Sequence, residues 1–268
     1  MHNGLNMIVC VKQVPDPEGP PTSYRVDEEA RTVTFQGIPP VVSPFDENAL
    51  ELALGLAGVH GGTVTLMSLG SRFSPAVMLK ALATGADDLV LVEMNGDTAP
   101  DSFATARLLA AAISRRGGFD LVLAGIQASD TNAGQVGPGI AELLGIPVIP
   151  RACHADVTDG RLVVKHAVPG GHETVGVPLR ELPVVLTVGF EAGELRYPHL
   201  AAIKAAKEKP QARWDASDVA GMSPPGNLLE IVGLRAPKRE RRCLLIEGDT
   251  PEEQGESLAV RLREDGVL

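Results

Sequence analysis

Aromatic residues are scarce in this chain: they make up 3% of its 268 residues, whereas apolar residues of all kinds make up 44%. The core must therefore be filled mainly by alanine, valine, leucine and isoleucine. Valine-rich runs alternate with runs rich in alanine and leucine, which is typical of α/β proteins. The length suggests one large domain or two modest ones, enough to bury a full core.

Cysteine is also rare, and its spacing argues against two kinds of site. The three cysteines are Cys10, Cys153 and Cys243. They are too scattered for a disulfide framework or a Cys-x-x-Cys metal pair. Three histidines, His154, His166 and His172, fall in one region without the spacing of metal ligands. We therefore predict no metal site and a reduced protein.

Long apolar runs and excess positive charge are missing as well. The net charge of −10 disfavours binding to nucleic acid. No apolar run approaches the ~18 residues that a membrane-spanning helix needs. The first residues, MHNGLN, carry neither a basic region nor an apolar run, so no signal peptide is visible. These features predict a cytoplasmic protein that is not embedded in a membrane.

The most informative stretch is 121–138, LVLAGIQASDTNAGQVGP. It reads as a short buried strand, then a polar loop, then a helix from about Ile140. Open α/β sheets bind ligands at such loops, and the free N–H groups of a first helical turn can bind phosphate. Gly125, Gly134 and Gly137 permit a close backbone approach or a positive φ. An ordinary polar turn would explain the same residues equally well.

Strands and helices alternate over residues 7–146, which predicts a doubly wound parallel sheet with right-handed crossovers. Cys10 falls near the carboxyl end of the first strand, where a small buried core residue is the simplest interpretation. Lys12 could meet either phosphate or solvent. Ser43 is expected to cap a helix whose first residue is Pro44.

The second half of the chain changes character. Four strand-like runs, 152–157, 162–167, 173–177 and 184–188, predict a small antiparallel meander. Pro198 precedes an Ala/Lys-rich helix whose Leu200 is expected, on pattern alone, to pack inward. A Gly/Pro-rich linker over 215–228 and a basic stretch over 237–242 follow. The last helix starts near 249–253. One side of it is apolar and is expected to pack on another protein surface.

The 125–137 loop resembles the nucleotide loop of the electron-transfer flavoprotein beta subunit. The matching residues are Gly125, Gln127, Ala128, Asp130, Gln135 and Gly137. The resemblance extends from residue 7 to residue 267, and its other specific parts are 179–188 and 194–207. It implies an α/β fold with a doubly wound parallel sheet of the adenine-nucleotide alpha-hydrolase (HUP-like) type, an antiparallel meander and a C-terminal arm.

The resemblance also implies a set of residues that bind the cofactor. They are Cys10, Ser43, Pro44, Phe45, Asp46, Leu69, Gly125, Gln127, Ala128, Asp130, Thr131, Gly134, Gln135, Val136 and Gly137. The Gln-Val-Gly-Pro sequence at 135–138 looks like the FAD-holding, FixA-like branch of the family. The other branch holds AMP on this subunit and FAD on the alpha subunit, and usually shows Asn-Gln-Thr-Gly there. We therefore expect FAD, with AMP as the alternative.

The same resemblance implies the domain boundaries and the partners. Residues 1–228 would form the nucleotide-binding domain, with an antiparallel insertion at 150–190 and a partner-recognition segment at 191–208. Within that segment Tyr197, Leu200 and Ile203 would bind a partner dehydrogenase, into which Leu200 inserts. Residues 229–268 would form an arm on the alpha subunit of a heterodimer.

The function implied is electron transport. Electrons would pass from a dehydrogenase through flavin to a quinone reductase or a low-potential acceptor, and the FAD-holding branch includes NADH-dependent complexes that bifurcate electrons. The sequence shows no recognisable set of nucleophile, base and orienting residue, which favours an electron carrier over a hydrolytic or transfer enzyme.

Two other classes remain open on the residues alone. An adenine-nucleotide hydrolase or transferase of similar sheet order would need a phosphate loop near residues 10–20, where Pro-Asp-Pro-Glu is acidic and poorly suited. A nucleotide-sensing module would leave the arm and the 194–207 segment without a role. Co-purification with a second subunit separates the three classes.

Overall fold

The computed structural model describes residues 4–96, 99–220, 226–236 and 243–268. The strands are β1 (Leu5–Cys10), β2 (Gln13–Pro15), β3 (Tyr24–Asp27), β4 (Thr32–Phe35), β5 (Pro40–Val42), β6 (Gly62–Gly70), β7 (Asp88–Glu93), β8 (Leu121–Gly125), β9 (Val148–Thr158), β10 (Arg161–Val168), β11 (Gly171–Pro178), β12 (Val184–Val188) and β13 (Gln211–Asp215). The helices are α1 (Pro44–His60), α2 (Pro75–Ala83), α3 (Ser102–Arg116), α4 (Val136–Leu144), α5 (Leu200–Ala206), α6 (Ala216–Ala220) and α7 (Pro251–Glu264).

Nine strands form one sheet in the order β11-β10-β9-β12-β8-β1-β6-β7-β13. The strands from β9 to β13 in this order all run parallel, and β10 and β11 extend the sheet in antiparallel fashion. The predicted doubly wound α/β fold is therefore confirmed. Strands β3 and β4 form a separate two-stranded sheet.

The sequence interpretation misplaced one strand and missed another. The run at 184–188 is not the fourth strand of the meander: β12 pairs in parallel with both β8 and β9. All five of its residues are buried, as expected of a central parallel strand covered on both faces. The strand β13 was missed, because Gln211, Arg213 and Asp215 give this edge strand a polar appearance. This strand ends at the first residue of the predicted linker 215–228, and residues 216–220 of that linker form helix α6. Residues 221–225 of the linker and the basic stretch 237–242 lie outside the described residues.

Hydrophobic core lies on both faces of the sheet. One cluster packs α1 and α2 on the sheet and includes Leu50 and Leu82. The other packs α3 and α4 on the opposite face and includes Leu108 and Ile140. Each of these side chains is nearly or fully buried, so each contributes roughly 1.5–3 kcal/mol of transfer free energy.

Helix ends mostly follow the expected residues. Helix α1 begins at Pro44, but the side chain of Ser43 makes no capping hydrogen bond. Helix α4 begins four residues before the predicted Ile140 and ends at Leu144, and the next residue, Gly145, has the left-handed conformation. Helix α7 begins after Thr250, whose hydroxyl accepts a hydrogen bond from the N–H of Glu253.

The chain divides into two compact units. Residues 1–25 and 33–232 form the first, which contains the nine-stranded sheet. Residues 26–32 and 233–268 form the second, which contains α7. Within the described ranges, no helix has both the length and the apolar content needed to cross a membrane.

Candidate functional site

The strand order creates a switch point between β1 and β8. After β1 the chain crosses to β6 through α1, and after β7 it returns through α3 to β8 on the other side of β1. The loops that follow β1 and β8 therefore diverge and leave a crevice at the carboxyl ends of the strands. In open α/β sheets this crevice is where ligands bind. We call residues 125–137, from the last residue of β8 to the first turn of α4, the switch-point loop.

A buried carboxylate joins the two strands at this point. Asp46, in the first turn of α1, is 7% exposed. Its Oδ2 accepts the N–H of Lys12 at 2.8 Å, and its Oδ1 accepts the N–H of Gly125 at 2.9 Å. Burial raises the pKa of Asp46 to about 7, although the two backbone hydrogen bonds oppose the rise. Asp46 thus holds the ends of β1 and β8 in a fixed relation.

Ser43 and Lys12 attach the switch-point loop to the rest of the site. The hydroxyl of Ser43 accepts the N–H of Ser129 at 3.3 Å, while its own N–H donates to the carbonyl of Lys12 at 2.8 Å. The expected side-chain cap is therefore wrong: this hydroxyl bonds a distant loop. The Lys12 ammonium forms an ion pair with Asp130 at 2.7 Å, so in this structure it meets a carboxylate.

Glycine is required at three positions of the loop, for a different steric reason at each. A Cβ on Gly125 would lie 2.6 Å from Asp46 Oδ1, so α1 packs directly on this residue. Gly134 has a φ of +65°. A Cβ on Gly137 would lie 2.5 Å from the methyl group of Thr187. Packing within the chain is thus sufficient to require Gly125 and Gly137, whether or not a ligand is bound.

The middle of the loop is a preformed turn. The N–H of Asn132 donates to the carbonyl of Ala128 at 2.8 Å, and the amide of Gln127 donates to Asn132 Oδ1 at 3.1 Å. Asn132 takes a positive φ of 51°, which asparagine tolerates better than most residues. Thr131 is exposed beside it. The loop is therefore held in one conformation by its own hydrogen bonds.

Cys10 and Leu69 line the core side of the same edge. Burial raises the pKa of the Cys10 thiol to about 12, with the nearby Asp46 adding to the rise. The thiol is consequently neutral and serves as a small packing residue, as the sequence indicated. Leu69 is half-buried and packs on the cluster that contains Cys10.

Ser129 is a residue that the sequence interpretation passed over, because it fills a variable position of the Gly-x-Gln-Ala-x-Asp match. Its Oγ is buried, and within the described part of the chain it has no hydrogen-bond partner. A buried hydroxyl without a partner is costly, so such atoms commonly meet a water or a ligand. Nearby, α4 begins at Val136, and the N–H groups of its first turn have no partner within the helix.

Two cavities lie away from the switch point. One, of about 340 Å³, is lined by residues that include Glu47, Lys80 and Tyr197. Another, of about 250 Å³, is lined by residues that include Phe73 and Arg213. Neither contains a residue of the switch-point loop. Topology and hydrogen bonding, not cavity shape, thus distinguish the switch point.

The three residues predicted to bind a partner fall into two groups. Tyr197 and Leu200 are 81% and 79% exposed, so Leu200 does not pack inward as its pattern suggested. Ile203 is partly buried and packs on the core beneath α5. Arg196 fixes the segment, since its guanidinium forms a two-point ion pair with Glu51 at 2.7 and 3.0 Å.

The fold and the carboxyl edge of its sheet place the chain in a class of protein. Its members are doubly wound α/β proteins that carry a hydrogen-bonded loop and the start of a helix at the switch point. The chain belongs to the electron transfer flavoprotein family, because the family model described as "Electron transfer flavoprotein domain" matches residues 31–219. Membership implies association with flavin or nucleotide in general.

Three relatives agree with this assignment. The "Electron transfer flavoprotein subunit beta" of Clostridium acetobutylicum is 37% identical over 215 residues, 80% of each chain. The "Caffeyl-CoA reductase-Etf complex subunit CarD" of Acetobacterium woodii is 32% identical over 98% of this chain and 100% of the relative. "Protein FixA" of Azotobacter vinelandii is 31% identical over 91% of this chain and 88% of the relative. The function is therefore electron transfer of the beta-subunit type, which sets aside the hydrolase and sensor alternatives.

Proposed function

We propose that this chain holds FAD at the switch point and works in the cytoplasm with an alpha subunit. The observation that carries the proposal is the braced loop. Among the residues that the structure describes, the Ser129 hydroxyl has no hydrogen-bond partner, and the N–H groups at the start of α4 have no partner within the helix. These are the donors that a nucleotide needs for its polar groups and its phosphates.

The residues present fit a dinucleotide. The N–H groups of Val136 and Gly137 would hold the pyrophosphate, with the positive end of the α4 dipole behind them. Cys10 and Leu69 offer an apolar surface for the adenine. Lys12 is already paired with Asp130, so it would serve to hold the loop in place. When bound, the flavin would supply the one- and two-electron chemistry.

FAD is favoured over AMP because of the residues that begin α4. Val136 and Pro138 offer neither a hydroxyl nor an amide side chain, and proline has no N–H. A loop that closes over a single phosphate would gain from such groups. A loop that lies along a longer ligand needs only the backbone donors, which are present.

The nucleotide content of the purified heterodimer tests the proposal. We expect two FAD and no AMP per heterodimer, measured by absorbance and mass of the extracted nucleotides. Ser129→Ala should weaken FAD retention on this subunit by roughly tenfold, the value of about one hydrogen bond. Ser114→Ala, on the exposed surface of α3, is the matched control and should leave retention unchanged. One FAD plus one AMP would contradict the FAD assignment and leave the family assignment intact.

The 194–200 segment is proposed as the docking site for a dehydrogenase. Besides the two-point ion pair, the N–H of Arg196 donates to Glu51 at 3.0 Å. The ring of His199 accepts the N–H of Ala202 at the start of α5. These contacts fix the backbone on either side of Tyr197, while the two apolar side chains stay exposed. A rigid segment with exposed anchors binds without a large ordering cost.

Leu200→Ala is expected to slow electron transfer from the dehydrogenase about thirtyfold or more, the effect of an interface anchor worth ~2 kcal/mol. Bound nucleotide and thermal stability should not change, since Leu200 is exposed. Val59→Ala, at an equally exposed apolar position on α1, is the control for a general loss of apolar surface. Equal rates for both variants, measured by stopped-flow flavin reduction, would argue against the docking site.

The remaining partners are proposed from the relatives. We expect electrons to leave to a quinone reductase or a low-potential acceptor. One relative is named as part of a reductase-Etf complex, and for this chain an NADH-dependent, electron-bifurcating complex is the corresponding proposal. Reduction of two acceptors in coupled amounts by NADH would support it.

A further inference from the structure

Three side chains with metal-binding atoms converge outside the switch point. The Cys153 sulfur, a ring nitrogen of His172 and a carboxylate oxygen of Glu191 all lie within 4.8 Å of one another. Cys153 is in β9, His172 is in β11, and Glu191 is in the 3-10 turn Phe190–Ala192. Over the ranges that the structure describes, this is the one group of its kind.

A β-bulge brings Cys153 into this position. Lys165 of β10 pairs with His154, but the next residue, His166, pairs with Ala152, so Cys153 has no partner of its own in the ladder. Bulges redirect a side chain relative to regular alternation. The thiol now donates to the carbonyl of Lys165 at a sulfur–oxygen distance of 3.2 Å.

His172 reaches the same place across one strand. Strand β10 lies between β9 and β11, so the backbones of the outer two strands are about 9.6 Å apart. The residue opposite His172 on β10 is Ala167, whose single methyl group leaves space above the strand. Nε2 of His172 already lies 2.8 Å from Oε2 of Glu191.

We propose that Cys153, His172 and Glu191 form a zinc site with an open fourth position. Thiolate, imidazole and carboxylate are the three ligand types that Zn²⁺ takes in proteins, at about 2.0–2.3 Å. In tetrahedral geometry these lengths put the donor atoms about 3.3–3.6 Å apart, within the span of the cluster. On binding, the S–H bond breaks, its electron pair forms the Zn–S bond, and the proton passes to solvent. The hydrogen between Nε2 of His172 and Oε2 of Glu191 moves to Nδ1 or to solvent, which frees the nitrogen lone pair and the carboxylate for the metal. Thiolate and carboxylate together balance the charge of the ion.

The spacing along the chain gave no sign of this site. The ligands are 19 residues apart in each case, from Cys153 to His172 and from His172 to Glu191, and they meet only through strand pairing. A metal there would tie the antiparallel part of the sheet to the turn that leads into the 194–200 segment. The site does not depend on which nucleotide the switch point holds.

Zinc binding by the intact heterodimer tests the proposal. Metal-free protein, kept reduced, is titrated with Zn²⁺ by calorimetry, and the product is measured by X-ray absorption at the zinc edge, which flavin does not disturb. We expect one site with a single sulfur neighbour at about 2.3 Å and nitrogen or oxygen neighbours at about 2.0 Å.

Single variants assign the ligands. Cys153→Ser, His172→Gln and Glu191→Gln should each weaken zinc binding at least tenfold, and Cys153→Ser should remove the sulfur neighbour. Cys243→Ser is the matched control, since that thiol is exposed and lies in the other unit. Circular dichroism checks that each variant is folded. Zinc binding without a sulfur neighbour, binding that is unchanged in folded Cys153→Ser, or binding that depends on Cys243 would overturn the proposal.

Discussion

Deleting residues 233–268 is expected to abolish the heterodimer while the sheet-containing unit stays folded. None of the residues of α7 is buried, and Leu258 and Val260 are exposed on it. The nine-stranded sheet has its own core on both faces. Covering Leu258, Val260 and Leu262 of α7 on an alpha subunit would contribute about 4 kcal/mol or more, so the deletion should weaken association roughly a thousandfold or more.

The apolar surface of this region supports that magnitude. Large apolar side chains are exposed along the described part of the second unit: Leu244, Leu245, Leu258, Val260, Val267 and Leu268. Apolar surface in such density usually marks a protein interface.

Analytical ultracentrifugation of the two subunits measures the effect of the deletion. A point variant shows whether the effect comes from the apolar surface of α7 or from the deletion of the whole segment. Leu258→Ser should weaken association, whereas Glu256→Ser, an exposed polar position of the same helix, should not. A truncated chain that still binds the alpha subunit with full affinity would exclude the arm from the interface. A truncated chain with a lower melting temperature would show that the arm stabilises the first unit instead.

Local sequence patterns predicted the parallel sheet well, because each central strand is a short, almost continuous apolar run. They also predicted that Leu121–Gly125 is followed by a polar loop and a helix. Patterns cannot, however, report pairing between distant segments. The position of β12 between β8 and β9 depends on such pairing. So does the edge strand β13, whose alternating polar residues resemble a loop.

The bracing of the candidate site was hidden for the same reason. The partners of Asp46 are 34 and 79 positions away, and the partner of the Ser43 hydroxyl is 86 positions away. Resemblance to the family included both residues in the set that binds the cofactor. In the structure, Asp46 and Ser43 also hold the switch-point loop in place through their hydrogen bonds.

Asp46→Ala is expected to lower the free energy of unfolding by about 3 kcal/mol, because it leaves the N–H groups of Lys12 and Gly125 buried without an acceptor. Asp46→Asn should lose less, since one amide oxygen can still accept. Asp130→Ala is the control in the same region. It removes a half-exposed ion pair with Lys12 that is worth about 0–1 kcal/mol. Fluorescence of Trp214, the single tryptophan, reports urea unfolding of the sheet because it lies in β13.

The same carboxyl group makes stability depend on pH with a defined sign. The pKa of Asp46 is about 7 in the folded chain, whereas an unfolded aspartate has a pKa of about 3.9. Between about pH 3.9 and pH 7 Asp46 is protonated in the folded state and ionised in the unfolded state. Asp46 therefore stabilises the fold at the low end of this pH range, and the contribution is lost as pH rises towards 7. The free energy of unfolding should fall by up to about 1.4 kcal/mol per pH unit in this window. Asp46→Asn, which cannot ionise, should lack this part of the slope, and equal slopes in the two proteins would mean that Asp46 is already ionised near pH 4.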